Sequence, residues 1–346
     1  MTSRRHSRRL PVLLLALLLL LPAGCGQPQQ VHTLSGPTMG TAWSVQIVAA
    51  PGDRNIAGLR DDIEAALETV NGQMSTYRED SHISRFNRAE PGESITLPPE
   101  FTVVLLAAME LAEQTDGAYD PTVGPLVNLW GFGPDGRRTE PPPEEEIEAA
   151  RERVGWQQLE LDLDTRTLTQ PGDVLLDLSS IAKGYAADLI AERLEERGIN
   201  AYLVDIGGDM RVRGRKPDGE RWRIAIERPA EGERAIHSII EPGDAAVATS
   251  GSYREFFRAS GREYSHTIDP RTGYPIPQEL VSVTVLHDNC KEADGLATAI
   301  TALGPEAGYA FARDRDLAVL LLIRDNDSVQ ERMTPAFAPY VDGEAD

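Results

Sequence analysis

The sequence predicts an α+β fold, because strand patterns and helix patterns interleave along the chain without the strict strand–helix–strand alternation of a parallel sheet. Trp43, Val45 and Ile47 alternate with Ser44 and Gln46, the two-residue period of a half-buried strand. Leu59, Ile63, Leu67 and Val70 recur at helical spacing. The 346 residues are 41% hydrophobic and 26% charged, which excludes a mainly disordered chain and leaves room for one large domain or two moderate ones.

Taken in order, residues 1–25 read as a targeting segment. Arg4, Arg5, Arg8 and Arg9 precede an apolar run over residues 10–21, broken only by Pro11 and too short to span a bilayer comfortably. The run ends Leu21-Pro22-Ala23-Gly24-Cys25, and small residues before a cysteine resemble a bacterial lipobox, in which Cys25 is the lipidated first residue of the mature chain. Pro22 stands where an aliphatic residue is usual, so plain secretion is the second reading. Ser7-Arg8-Arg9 resembles a twin-arginine signal, which leaves the export route open. The expectation is an exported membrane lipoprotein facing the periplasm or the cell exterior. Residues 26–35 read as a tether, 36–335 as the folded domain and 336–346 as a C-terminal tail.

Within the domain, residues 101–115 predict a second helix ending near Gly117. Residues 116–136, rich in Gly and Pro, predict a long loop with isolated apolar anchors. Pro141-Pro142-Pro143 opens a charged helix. Residues 159–168 read as a hairpin turning at Asp164-Thr165, and 174–178 as a strand leading into a helix capped by Ser179 or Ser180 and ending at Gly198. Further strands are expected over 202–206, 222–226, 281–286 and 317–323, with a helix over 293–303.

Thirty-four Lys+Arg against 55 Asp+Glu give a net charge of −21, which argues against a nucleic-acid partner. Two cysteines, Cys25 and Cys290, build neither a disulfide framework nor a Cys-rich zinc site, and Cys290 reads as a small packed thiol. Gly131-Phe132-Gly133-Pro134-Asp135-Gly136 matches a dinucleotide fingerprint by letter only, since no strand precedes it and no helix follows.

Five groups of residues carry chemistry or a structural alternative to it. Asp177 to Tyr185 puts hydroxyls, Lys183 and Gly184 at a helix start, which suits a phosphate or is an ordinary serine-capped helix with a surface lysine. Asp294 and Thr298, four apart on one helix face, suit Mg²⁺ or are a solvated surface. His266, before a turn set by Pro270 and Gly273, is a general base near neutral pH or a satisfied structural group. Thr249-Ser250-Gly251 and Gly207-Gly208 are ligand-facing backbone or simple turns.

Together with Pro37-Thr38-Met39-Gly40-Thr41, Met74-Ser75-Thr76-Tyr77, Tyr119-Asp120-Pro121-Thr122 and Gly207-Gly208-Asp209, these segments resemble the ApbE family of FAD:protein FMN transferases, in the family's order and over roughly residues 36–304. Ser180 stands where many members have glycine, and Ser252 where an acid or Asn is common. The resemblance implies a two-lobed mixed fold related to the T-fold, with the ligand cleft between the lobes. It implies that Met39, Tyr77, Ala118, Tyr119, Asp120, Ser179, Lys183, Tyr185 and Ile268 line FAD. It further implies that Asp294, Thr298 and the Ala182 carbonyl hold Mg²⁺, and that His266 is the catalytic base. The implied reaction moves FMN from FAD to a Ser/Thr hydroxyl of an exported flavoprotein acceptor, such as a redox-pump subunit or electron carrier, and releases AMP. The alternatives are a Mg²⁺-dependent FAD pyrophosphatase and a non-catalytic flavin-binding lipoprotein.

Overall fold

Eight antiparallel strands form the central sheet, in the order Gln30–Thr38, Thr41–Ala49, Tyr202–Ile206, Asp209–Arg213, Ala246–Gly251, Leu280–His287, Ala318–Asp325 and Ser328–Met333. The computed structural model describes residues 28–228, 235–251, 256–325 and 328–341. The expected targeting segment, Cys25 and Ser252 lie outside them.

Inner strands of this sheet bury apolar residues on both faces, whereas the edge strands Gln30–Thr38 and Ser328–Met333 bury none. Trp43, Val45, Ile47, Val204, Ile206, Val283, Val285 and Leu321 face one core, shared with the helices Leu59–Met74, Pro99–Gln114, Ala182–Glu196 and Cys290–Asp314. Their neighbours Val48, Leu203, Val212, Leu286, Leu320 and Leu322 face a second core with Trp222, the hairpin Ile224–Arg228/Ala235–Ile240 and Phe337. The period of two decides which residue enters which core.

The register also fixes two ends. The turn at Met39-Gly40 and the turn at Gly207-Gly208 lie at one end, where Trp43 pairs with Ile206. Gln30, paired with Ala49, and Arg213, paired with Tyr202, lie at the other.

Several expectations change. The tether expected over 26–35 gives way at Gln30, because the first strand pairs with the second along its whole length. The expected tail begins too early: Phe337 is fully buried, and Ala338–Val341 forms a short helix. Residues 174–178 are extended but make only one bridge, Val123 to Leu175, instead of a strand ladder. Neither Ser179 nor Ser180 caps the following helix. Its N-cap is Ile181, and Ser180 Oγ donates to Tyr119 Oη at 2.9 Å. The 293–303 helix runs from Cys290 to Asp314 with a break at Gly304 (φ 80°) before Pro305. Thr249-Ser250-Gly251 ends a strand and is no turn.

Residues 116–136 contain the helix Gly124–Leu129 and pack around Leu126 and Trp130, both fully buried. Alternation and helical period miss this segment because its core contacts are single residues in a chain of turns.

Burial of Phe337 makes the C-terminal segment part of the fold. Phe337→Ala is expected to cost about 3–5 kcal/mol in chemical denaturation; a midpoint equal to the parent's would return the segment to a tail.

Candidate functional site

Two helices meet so closely that their backbones touch. A Cβ on Gly184 would lie 2.2 Å from the Cys290 carbonyl oxygen and 2.8 Å from Asp294 Cβ, so only glycine fits this crossing. Four residues further along the first helix, the Asp188 carboxylate accepts from the backbone N–H groups of Cys290 and Lys291, each at 2.8 Å. Asn289 caps the same helix end by accepting from Glu292 N–H at 2.9 Å. The helix that carries Lys183 therefore fixes the start of the helix that carries Asp294 and Thr298.

That crossing assembles a charge cluster. Gly184 N–H donates to Asp294 Oδ2 at 3.0 Å. Lys183 Nζ donates to Asp209 Oδ2 at 2.5 Å and lies 3.6 Å from Asp294 Oδ1. Asp209 arrives from the sheet, directly after Gly207 (φ 63°) and Gly208 (φ 104°), whose left-handed backbone makes the tight turn possible. Asp209 and Asp294 are both buried. Burial first, then the charge of Asp209, pushes the Asp294 carboxyl up to about 7, against the pull of Lys183 and the Gly184 N–H. Burial opposes the charge on Lys183, but Asp209 and Asp294 outweigh it and hold the ammonium protonated.

The donor set fits a hard divalent cation. Two buried carboxylates face one ammonium, the Thr298 hydroxyl stands one helical turn from Asp294, and all these ligand atoms are oxygen. Among the described residues no three His, Cys, Asp or Glu side chains cluster as metal ligands.

His266 is delivered from outside the main sheet. It follows the hairpin Phe256–Ala259/Arg262–Ser265, which turns at Ser260 and Gly261. Aromatic contacts from the 116–136 segment hold that hairpin. Tyr264 stacks on Trp130 (5.5 Å) and on Phe257 (5.0 Å), and Phe132 meets the His266 ring edge-on at 6.3 Å. Trp130 Nε1–H donates to the Gly273 carbonyl at 2.9 Å, which ties in the turn after His266.

All of this opens into one cleft of about 440 Å³, within the usual range for small-molecule sites. Of the residues expected there, Met39, Tyr77, Ala118, Tyr119, Asp120, Ser179, Ala182, Lys183, His266, Ile268, Asp294 and Thr298 line it. Tyr77 is 69% exposed, and its hydroxyl donates to the Phe132 carbonyl at 3.1 Å. The Asp120 carboxylate is already committed: it accepts from Thr122 N–H and Oγ1 and from Trp156 N–H, so it shapes the loop. Tyr185 is not on the cleft wall. Two residues beyond Lys183, it points roughly 200° around the helix, towards Glu100 and Glu192.

Sequence reasoning assigned no role to Asp209, Phe132 or the Ser180–Tyr119 hydrogen bond. For Asp209 the signal was present, an acid directly after a Gly-Gly turn at the end of an apolar strand. Nothing local marks Phe132, whose ring partners Phe257 and His266 lie more than 100 residues away.

Known proteins share this arrangement of elements. The model of the ApbE family matches residues 39–321. A curated relative from Vibrio cholerae, named FAD:protein FMN transferase, is 45% identical over 93% of this chain and 96% of its own length. One of that name from Haemophilus influenzae is 39% identical over 91% and 93%. The solved structure of the flavin transferase ApbE from Vibrio cholerae superposes with a TM-score of 0.83 at 43% identity, covering 90% of this chain and all of that one. The apo flavinyl transferase ApbE of Pseudomonas stutzeri gives 0.83 at 39% identity, covering 92% and 98%. The chain belongs to the ApbE family.

A carboxyl that titrates near 7 when folded and near 3.8 when unfolded leaves its stability intact below pH 3.8 and loses it as pH rises through about 7. The metal-free protein is therefore expected to melt lower at pH 8 than at pH 6. Asp294→Asn should flatten that slope, and Mg²⁺ should raise the parent's melting temperature more at pH 8 than at pH 6. Parallel melting profiles for parent and variant would remove the Asp294 charge from this account.

Proposed function

We propose that this chain transfers the FMN moiety of FAD to a serine or threonine hydroxyl of an exported acceptor protein, with AMP as leaving group. The observation that carries the reading is that one cleft is walled by a base, His266, and by the Lys183–Asp209–Asp294 cluster with Thr298. The shared name of the relatives supports the reaction class.

FAD lies along Met39, Tyr77, Ala118 to Asp120, Ser179 and Ile268, with its pyrophosphate towards Lys183. Asp209 keeps the Lys183 ammonium charged and aimed. Asp294, Thr298 and the Ala182 carbonyl are the groups that hold Mg²⁺, which when bound neutralises pyrophosphate charge. A ring nitrogen of neutral His266 accepts the proton of the acceptor hydroxyl as its oxygen bonds to the FMN phosphorus. The bond from that phosphorus to the bridging oxygen breaks, the oxygen leaves with AMP, and FMN stays on the acceptor as a phosphoester. Export through residues 1–25, with lipid on Cys25, places the reaction at a membrane outside the cytoplasm. The acceptor there is a redox-pump subunit or a flavin-bearing electron carrier.

The mature chain, given FAD, Mg²⁺ and a periplasmic acceptor, is expected to add one FMN to the acceptor's intact mass. His266→Ala should lower that rate about 10²–10⁴-fold while FAD affinity holds. Parental transfer in the variant would sink the role of His266, and free FMN and AMP without an adduct would favour the pyrophosphatase.

A further inference from the structure

The end of the sheet opposite the cleft carries positive charge that the transfer reaction does not use. Residues 211–223, RVRGRKPDGERWR, hold six cations and two acids in a chain of net charge −21. Arg213 pairs with Glu195 at 2.6 Å, and Arg211 lies 3.9 Å from Asp188. Beyond them Arg215 and Lys216 are the open charges, since Arg221 Nη1 is buried and Arg223 pairs with Glu241. Arg215 is exposed and donates only to the Gly219 carbonyl, Lys216 lies over the Trp222 ring, and exposed Arg223 stands 3.9 Å from Glu241. Nearby acids offset part of this charge, Asp218 held by Glu220 N–H and Asp244 by Gly214 N–H, and residues 213–223 themselves keep five cations against two acids. Among the described residues no ion pair joins Arg215, Lys216 or Arg221 to an acid.

The register puts this turn beside the chain's entry into the fold. Tyr202 pairs with Ile47 on one side and with Arg213 on the other, while Gln30 pairs with Ala49 two residues beyond Ile47. Gln30 follows Cys25 by five residues, a reach of at most ~18 Å. A lipid on Cys25 therefore holds this end of the sheet close to the bilayer. The acidic remainder of the surface is repelled by anionic lipid, so the basic turn is the part that can approach within the ~8 Å over which surface charge acts.

We propose that the basic turn 213–223 rests on anionic phospholipid headgroups of the membrane that holds Cys25, so that the cleft opens away from the bilayer towards the acceptor. The inference rests on the lipid-anchor reading above.

The test takes the full chain purified from membranes, with its intact mass read first, on vesicles of phosphatidylglycerol and phosphatidylcholine or of phosphatidylcholine alone. Backbone amides of 213–223 should exchange several-fold more slowly on the anionic vesicles, and Arg215→Glu with Lys216→Glu should abolish that protection. Without the anchor, each reversed residue should weaken binding to anionic vesicles at least about 5-fold. FMN transfer to a soluble acceptor in detergent should stay at the parental rate, which excludes misfolding. A lipidated chain with equal exchange on both vesicles would overturn the docking and leave the anchor standing. A chain whose mass shows no lipid would overturn the orientation together with the anchor. Loss of transfer in detergent with an unchanged melting temperature would overturn the membrane in favour of an acidic acceptor surface.

Discussion

Lys183 stands between two buried carboxylates, 2.5 Å from Asp209 and 3.6 Å from Asp294, and the folding of three separate segments converges on that contact. Two like charges this close are tolerable only with a cation between them. The cation's position depends on the helix crossing at Gly184, where one added methyl would strike the Cys290 carbonyl. Asp209 depends in turn on the sheet, which ends a strand at Ile206 and reverses through two left-handed glycines. Neither helix packing nor strand pairing alone produces the cluster.

His266 reaches the cleft by a different route. Its hairpin is a two-stranded unit outside the eight-stranded sheet, held by Trp130, Phe132 and their ring contacts. The site thus has a charge-bearing wall built on the rigid core and a wall carrying His266 built on side-chain packing from the 116–136 segment. This division explains why that segment, with few regular elements, is nonetheless buried at Leu126 and Trp130.

The elements legible in the sequence were those whose physics is local. Alternation at Trp43, Val45 and Ile47, and helical spacing from Leu59 to Val70, each report burial on one side of one element. The serines at 179 and 180 misled because hydroxyls suit both a helix cap and a tertiary partner, and Tyr119, 61 residues away, took Ser180. Strand character over 174–178 misled because a short apolar run also suits a buried extended segment with no ladder. Asp294 and Thr298 were visible as an oxygen pair because i,i+4 spacing is a helix property. Their partner Asp209 depends on sheet topology, which spacing does not carry.

The sign of the charge in the cleft bears on how an anionic substrate enters an acidic protein. With both carboxylates ionised, Lys183 leaves the cluster at a net single negative charge, which opposes a pyrophosphate in so buried a place. Protonating Asp294 brings the cluster to neutrality, and its pKa of about 7 shows how much the fold resists the full charge. Only a divalent cation turns the cluster positive while leaving both carboxylates ionised. Lys183 by itself is already spent on Asp209, so it contributes orientation and partial neutralisation more than free positive charge. In a chain of net charge −21 no long-range field brings the dinucleotide in. The binding of its phosphates has to come from contacts inside the cleft, beside Lys183.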